Sequence, residues 1–163
     1  MSHRISPRRR SLFSVTPTLA CEALESRHLL TGNVTAVVSH GDLVIQGDAQ
    51  DNNLTIEYTG TPGQYKIIGA GATTINGSAD ATLSGVTDDF SIKMGDGKDQ
   101  VTLLSTGTKQ FTVPDDLSAD MGSGDNSLYL RAQDAAQMLV KGNFSPKGGD
   151  GIDSCFLQTT GAN

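Results

Sequence analysis

Six side chains carry the one pattern in this sequence whose types and spacing could do chemistry: Asp96, Asp99, Asp125, Asn126, Asp150 and Asp153. They stand in three glycine-rich stretches, residues 94–99, 121–126 and 148–153, and Asp99, Asn126 and Asp153 follow one another at intervals of 27. Carboxylate oxygens beside turn carbonyls are a donor set for a hard cation such as Ca²⁺, which takes about 6–8 oxygens at roughly 2.3–2.6 Å. The same residue types are also turn formers, because Asp and Asn side chains accept hydrogen bonds from nearby backbone N–H groups. Stacked turns would then form an Asx ladder that needs no ion. Asn126 removes one charge from the middle turn, and Lys98 beside Asp99 offsets another. Both readings, calcium ligands and structural ladder, stand on the sequence.

The glycines of these turns, Gly95 and Gly97, Gly122 and Gly124, Gly149 and Gly151, belong to a longer pattern. At the same interval Val86, Val113 and Val140 coincide, as do Phe90, Leu117 and Phe144, then Leu103, Leu130 and Leu157. Asp89, Asp116 and Asn143 align as well. A fixed period of this size is the mark of a repeat architecture. Each period reads as three short strands; in the first they span 89–94, 100–104 and 110–113. Strands at equivalent places in identical units pair in parallel, so the expected fold is all-β, a parallel β-helix (β-solenoid) of about 27-residue coils over residues 84–163. Alternation turns Phe90, Ile92 and Met94 inward, with Leu117, Ala119 and Met121 in the next coil and Phe144, Pro146 and Gly148 in the third. Pro146 cannot donate to a ladder and belongs at an edge. Cys155 stands where Val101 and Leu128 stand, so it reads as a small buried hydrophobe. Thr102, Tyr129 and Phe156 point outward, the two aromatics forming a candidate contact patch.

Residues 32–83 are strand-like but irregular. Val34–Val38 and Leu43–Ile45 around His40-Gly41-Asp42 read as a hairpin. The turn at 47–53 is a worn copy of the repeat motif, with Asn52 in the place of Asp99 and Leu54 and Ile56 matching Val101 and Leu103. The interval there is 47, so this part is expected to form an irregular β cap with the first coils. No helical periodicity occurs between 32 and 163, since apolar runs are short and glycine recurs.

Of the 163 residues, the first 30 hold five Arg, two Glu and no glycine, while the remainder holds all 19 glycines, seven basic and sixteen acidic groups. Residues 1–31 therefore form a separate leader, disordered or partly helical. An acidic body excludes nucleic acid as a partner, because phosphates are bound by Lys and Arg. No apolar run approaches the ~20 residues of a membrane span. Catalysis is not expected: the body has one Arg (Arg131) and one His (His40), with no acid–base set outside turns.

Leu24, Glu25, Arg27, Leu29 and Leu30, downstream of an Arg cluster, resemble the N-terminal LEPR-xLL segment of planctomycete secreted proteins, with Ser26 where that family often has Pro. The resemblance implies export, to the cell surface or the extracellular space. The Gly-x-Gly-x-Asp turns with a following apolar residue resemble the RTX (haemolysin-type) repeat, which implies Ca²⁺ held by turn carbonyls and Asp carboxylates. Here the motif occurs once per 27 residues, Met94 and Met121 replace the leading glycine, and Asn126 replaces one Asp. The expected function is a non-catalytic exported structural or interaction module, with calcium as the one possible cofactor. Its partners are open, self-association through the last coil among them. The alternatives are a small polysaccharide-active enzyme and a piece of a larger adhesin-like surface protein.

Overall fold

The computed structural model describes residues 32–161. The leader, with its targeting-type residues Leu24, Glu25, Arg27, Leu29 and Leu30, lies outside the described residues. The described chain is all-β, with fourteen strands and no helix, hence none long and apolar enough to cross a membrane. The strands are β1 (Asn33–Ser39), β2 (Asp42–Gln46), β3 (Asn53–Tyr58), β4 (Gln64–Gly69), β5 (Thr74–Ile75), β6 (Asp80–Ser84) and β7 (Phe90–Lys93). They continue with β8 (Gln100–Ser105), β9 (Gln110–Val113), β10 (Leu117–Asp120), β11 (Ser127–Gln133), β12 (Gln137–Val140), β13 (Phe144–Lys147) and β14 (Ser154–Thr160).

The 27-residue interval is expressed as strand register. Phe90 pairs with Leu117 and Leu117 with Phe144 along β7, β10 and β13, all parallel. Val101, Leu128 and Cys155 do the same along β8, β11 and β14, and β9 pairs in parallel with β12. The sheets as wholes are mixed. One runs β13-β10-β7-β2-β1-β5 and the other β14-β11-β8-β3-β4-β6, with β9 and β12 as a separate pair. Pairing turns antiparallel at β2–β1, at β3–β4 and at β4–β6. β1 and β2 are the expected hairpin, closed by His40 and Gly41, both at positive φ (56° and 102°), as a two-residue loop demands. The β4–β6 pairing and the short parallel β1–β5 pairing have no counterpart in the sequence pattern.

The worn motif holds its place. β2 sits in parallel beside β7 and β3 beside β8, with Leu54 against Val101 and Ile56 against Leu103. The offset of 47 arises because β4, β5 and β6 are inserted before the chain reaches β7. Within the insertion, Tyr65 lies buried and donates its hydroxyl hydrogen to the Thr112 carbonyl oxygen. Its ring packs edge-on to Phe90 at 4.9 Å and tilted against Phe111 at 5.3 Å. On the side of β9 away from β12, one backbone carbonyl is thus satisfied by an aromatic side chain rather than by a further strand. Burial, followed by the neighbouring Tyr58 hydroxyl, pushes the Tyr65 phenol up to about 12.

Inward positions of the first two repeats form a single core with the cap. Phe90, Ile92, Met94, Leu117, Ala119 and Met121 are buried, as are Phe111 and Val113. The third repeat departs from the expectation. Phe144 is half-buried, while Pro146 and Gly148 are exposed. Cys155 is exposed rather than buried, because β14 is the last strand of its sheet and none of the described residues packs over its far side. Leu157 is 73% exposed for the same reason. Pro146 does fall on an edge strand, β13.

Ile92 is buried in the middle of the core and Lys93 is exposed on the opposite side of the same strand. Ile92→Asp is expected to cost more than about 4 kcal/mol, by placing an unpaired charge in the core. Lys93→Ala should stay within about 0.5 kcal/mol. Urea unfolding midpoints of the two variants check both; a large effect at Lys93 would contradict the assigned faces.

Candidate functional site

The three glycine turns stack along one edge where the two large sheets meet. Gly95, Gly97, Gly122, Gly124 and Gly151 all have positive φ, a region open to glycine at no steric cost. Space is a second constraint. A Cβ on Gly122 would strike the Gly95 carbonyl oxygen, and one on Gly124 that of Gly97. The turns touch backbone to backbone, and hydrogen bonds cross between them: Ser123 N–H donates to Gly95 O (3.0 Å), Gly97 N–H to Ser123 O (3.0 Å) and Gly124 N–H to Asp150 O (2.6 Å).

Behind this edge runs a ladder of Asx side chains. Asn126 Oδ1 accepts the Asp99 backbone N–H (2.9 Å), and Asp99 Oδ1 accepts that of Asn52 (2.9 Å). Asp153 Oδ1 accepts the Asn126 backbone N–H (3.3 Å) and also its Nδ2 (3.0 Å). Each rung thus satisfies an amide of the preceding turn. Asn52, Asp99 and Asn126 are each only 1% exposed. Asp153, on the outermost turn, is exposed, and its Oδ2 accepts the Gly149 N–H (3.1 Å).

The two buried rungs that accept an amide, Asp99 and Asn126, differ in one atom. Asn126 Nδ2 donates to the Gly124 and Gly122 carbonyls (3.1 and 3.3 Å). Asn52 Nδ2 donates to the Gln50 carbonyl (2.7 Å) and to Asp48 Oδ1 (3.1 Å). Asn52 Oδ1, unlike that of Asn126, is buried without a partner among the described residues. In Asp99, bonded through Oδ1 as Asn126 is, Oδ2 takes the place of the amide nitrogen. It is buried and has no partner among the described residues. Burial pushes the Asp99 carboxyl up to about 6, against the lowering effect of the Asn52 hydrogen bonds and with the help of Asp51 and Asp48. Asp48 itself is held below the ordinary range: burial pushes it up, but hydrogen bonds from Asn33, Gln50 and Asn52 outweigh that.

The remaining candidates lie on the outside of the turns. Asp96, Asp125 and Asp150 are exposed, and Asp125 Oδ1 accepts the Ile152 N–H (2.9 Å). The structure therefore separates the six residues: Asp99, Asn126 and Asp153 accept the ladder amides, Asp125 lines a cleft with Asp51 and Asp99, and Asp96 and Asp150 line a shallow groove. That groove also carries Lys93 and Lys147, the latter paired with Asp120 at 2.7 Å.

A second ladder was visible in the sequence only as an alignment. Asp89 Oδ1 accepts the Asp116 N–H (3.0 Å), and Asp116 Oδ1 accepts the Asn143 N–H (2.6 Å). Asp88, Asp89 and Asp115 bring carboxylate oxygens within 4.8 Å of one another beside it. The outward aromatics do meet: Tyr129 and Phe156 stack at 5.0 Å, with the Arg131 guanidinium 4.3 Å from the Tyr129 ring centre. Thr102, at the equivalent position one repeat earlier, is buried rather than outward-exposed. No protein-family model, curated protein or solved structure matches the chain.

The odd rung fixes a pH dependence. A carboxyl whose folded value (about 6) lies above its unfolded value of 3.8 binds its proton more tightly when folded. Stability then rises as pH falls through about 6 toward 3.8, and the ionised form is a burden above that window. Asp99→Asn supplies the missing donor. It is expected to raise stability near neutral pH by roughly 1–3 kcal/mol and to flatten this slope. The converse change, Asn126→Asp, should destabilise at neutral pH and recover in acid. Thermal melts of both variants across the window check this.

Proposed function

We propose that this chain is a non-catalytic, exported structural or interaction module. In this reading residues 84–161 wind as a parallel β-helix with three short strands per 27-residue coil, and residues 32–83 cap one end. The observation that carries it is the Asx ladder, in which Asn126 Oδ1 and Asp153 Oδ1 each bond the backbone amide 27 residues earlier. Of the residues whose spacing looked chemical, Asp99, Asn126, Asp153 and Asp125 are engaged in holding one turn to the next. Export rests on the LEPR-xLL resemblance of the leader. The acid–base pair that polysaccharide cleavage needs is not assembled among the described residues: the clustered groups there are aspartates of the turns.

A second reading, calcium stabilisation, is favoured by the buried and unpartnered Asp99 Oδ2 beside turn carbonyls. In that case Ca²⁺, rather than a proton, would satisfy Asp99, with oxygens from turn carbonyls and from Asp51 and Asp125, which line the same cleft.

Thermal melts with millimolar Ca²⁺, with excess chelator and with Mg²⁺ separate the two, since a ligand specific to the folded state raises the midpoint. The ladder alone predicts unchanged midpoints. A Ca²⁺-specific rise, lost in Asp99→Ala and Asp125→Ala, would establish the second reading. Incubation with acidic polysaccharides is expected to give no cleavage, and turnover there would overturn the module reading itself.

A further inference from the structure

The two ends of the molecule are unlike. At one end the inserted strands and the Tyr65 ring close the core. At the other, β13 and β14 are the last strands of both large sheets. Between them lies an apolar groove of about 660 Å³, lined by Leu130, Met138, Val140, Phe144 and Leu157. The equivalents of Phe144 and Leu157 one and two repeats earlier are Leu117, Phe90, Leu130 and Leu103, and all four are buried beneath the next repeat.

We propose that this end docks a strand–turn–strand segment of another polypeptide that carries the same Gly-x-Gly-x-Asx pattern, added in parallel as one more repeat. The proposal rests on the module reading and names the partner of that module. The occupant follows from an interface the chain already makes twice. Along the first sheet Phe90 N–H bonds Asp116 O and Leu117 N–H bonds Asn143 O, each time reaching forward to the next repeat. Phe144 repeats that geometry and calls for a carbonyl on a further strand, whereas Pro146, in the place of Ile92 and Ala119, has no N–H to offer, so the incoming segment is held at Phe144, at the turn and along β14. Along the ladder the amides of Asn52, Asp99 and Asn126 each receive an Asx oxygen from the next turn. Asp153 occupies the next equivalent place, so the incoming turn must carry Asp or Asn. β14, Ser154-Cys155-Phe156-Leu157-Gln158-Thr159-Thr160, has neither charge nor proline, the features that keep edge strands from pairing; β13 carries Pro146 and Lys147, so β14 is the edge that leads the docking. Main-chain addition at such an edge, with pockets for alternate side chains, is an established mode of peptide capture.

Two other occupants fit less well. The chain's first 30 residues contain no glycine and cannot build the turn. A second copy has its glycine turns already stacked in its own ladder, and its opposite end presents the antiparallel strand β6. It could meet β14 only edge to edge, without an Asx oxygen for Asp153.

The test uses the full chain and a synthetic peptide of residues 117–133, which contains β10, the glycine turn and β11. Saturable binding with a rise in the melting midpoint is expected. Binding should weaken by about tenfold or more when the peptide carries Asn126→Leu or the protein carries Leu157→Asp. Register is read independently by tethering. In a Cys21→Ser protein under glutathione buffer, the peptide with Leu128→Cys should form a mixed disulfide with Cys155 about tenfold in preference to the peptide with Leu130→Cys. Absent binding together with absent selectivity would overturn the proposal, as would binding indifferent to Asn126. A concentration-dependent dimer of the chain alone that blocks the peptide would overturn it in favour of a second copy. A chain that ignores the peptide and also leaves polysaccharide intact would lose the partner but keep the module; cleavage of polysaccharide would remove the module reading.

Discussion

The structure depends on a hydrogen bond between a side-chain oxygen of one turn and a backbone amide of the turn before it. A glycine-rich turn cannot satisfy all its own N–H groups, and at the buried edge of a sheet water cannot reach them. An orphaned amide there would cost about 1–3 kcal/mol. Asx oxygens at Asp99, Asn126 and Asp153 meet this need one after another. Much else follows from the closeness the bond requires. The turns must lie backbone on backbone, so Gly122 and Gly124 have no room for a Cβ. The strands leaving the turns must then run parallel and in step.

That constraint also explains why the rungs are not interchangeable. An amide offers both an acceptor for the neighbouring turn and donors for the carbonyls of its own turn, as Asn126 uses them; Asn52 uses the donors alone. A carboxylate offers only acceptors unless it is protonated or shares a cation. On the outermost turn Asp153 meets this by exposure, where its second oxygen accepts the Gly149 amide. In the interior, Asp99 Oδ2 meets no donor among the described residues, and the raised proton affinity of the carboxyl is the electrostatic form of that mismatch.

Much of this was legible in the sequence because the period ties identity to position. Phe90, Leu117 and Phe144 align in the sequence and pair in space, and Asn52 was recognised as the equivalent of Asp99 despite an interval of 47. What the pattern could not convey was context at the ends. Cys155 matches Val101 and Leu128 in type and register, yet burial is conferred by the next repeat, which a residue's own neighbours do not encode. The pairing of β4 with β6 was illegible for a related reason: those strands occur once, so no second copy distinguishes signal from composition. The role of Asp89, Asp116 and Asn143 was written in the same alignment as the first ladder, but without flanking glycines to mark it.

The insertion of β4, β5 and β6 has a further consequence for how such a chain can vary. The inserted strands all lie on one side of the first glycine turn, while the junctions beyond it share the same parallel register and the same Asx-to-amide bond. One more unit of 27 residues spliced between two existing units would meet its neighbours through contacts already present, and neither the Tyr65 closure nor the outermost turn would sense the change. Length in this molecule is therefore nearly free to drift, whereas the cap, which recurs nowhere else, is held to a single solution.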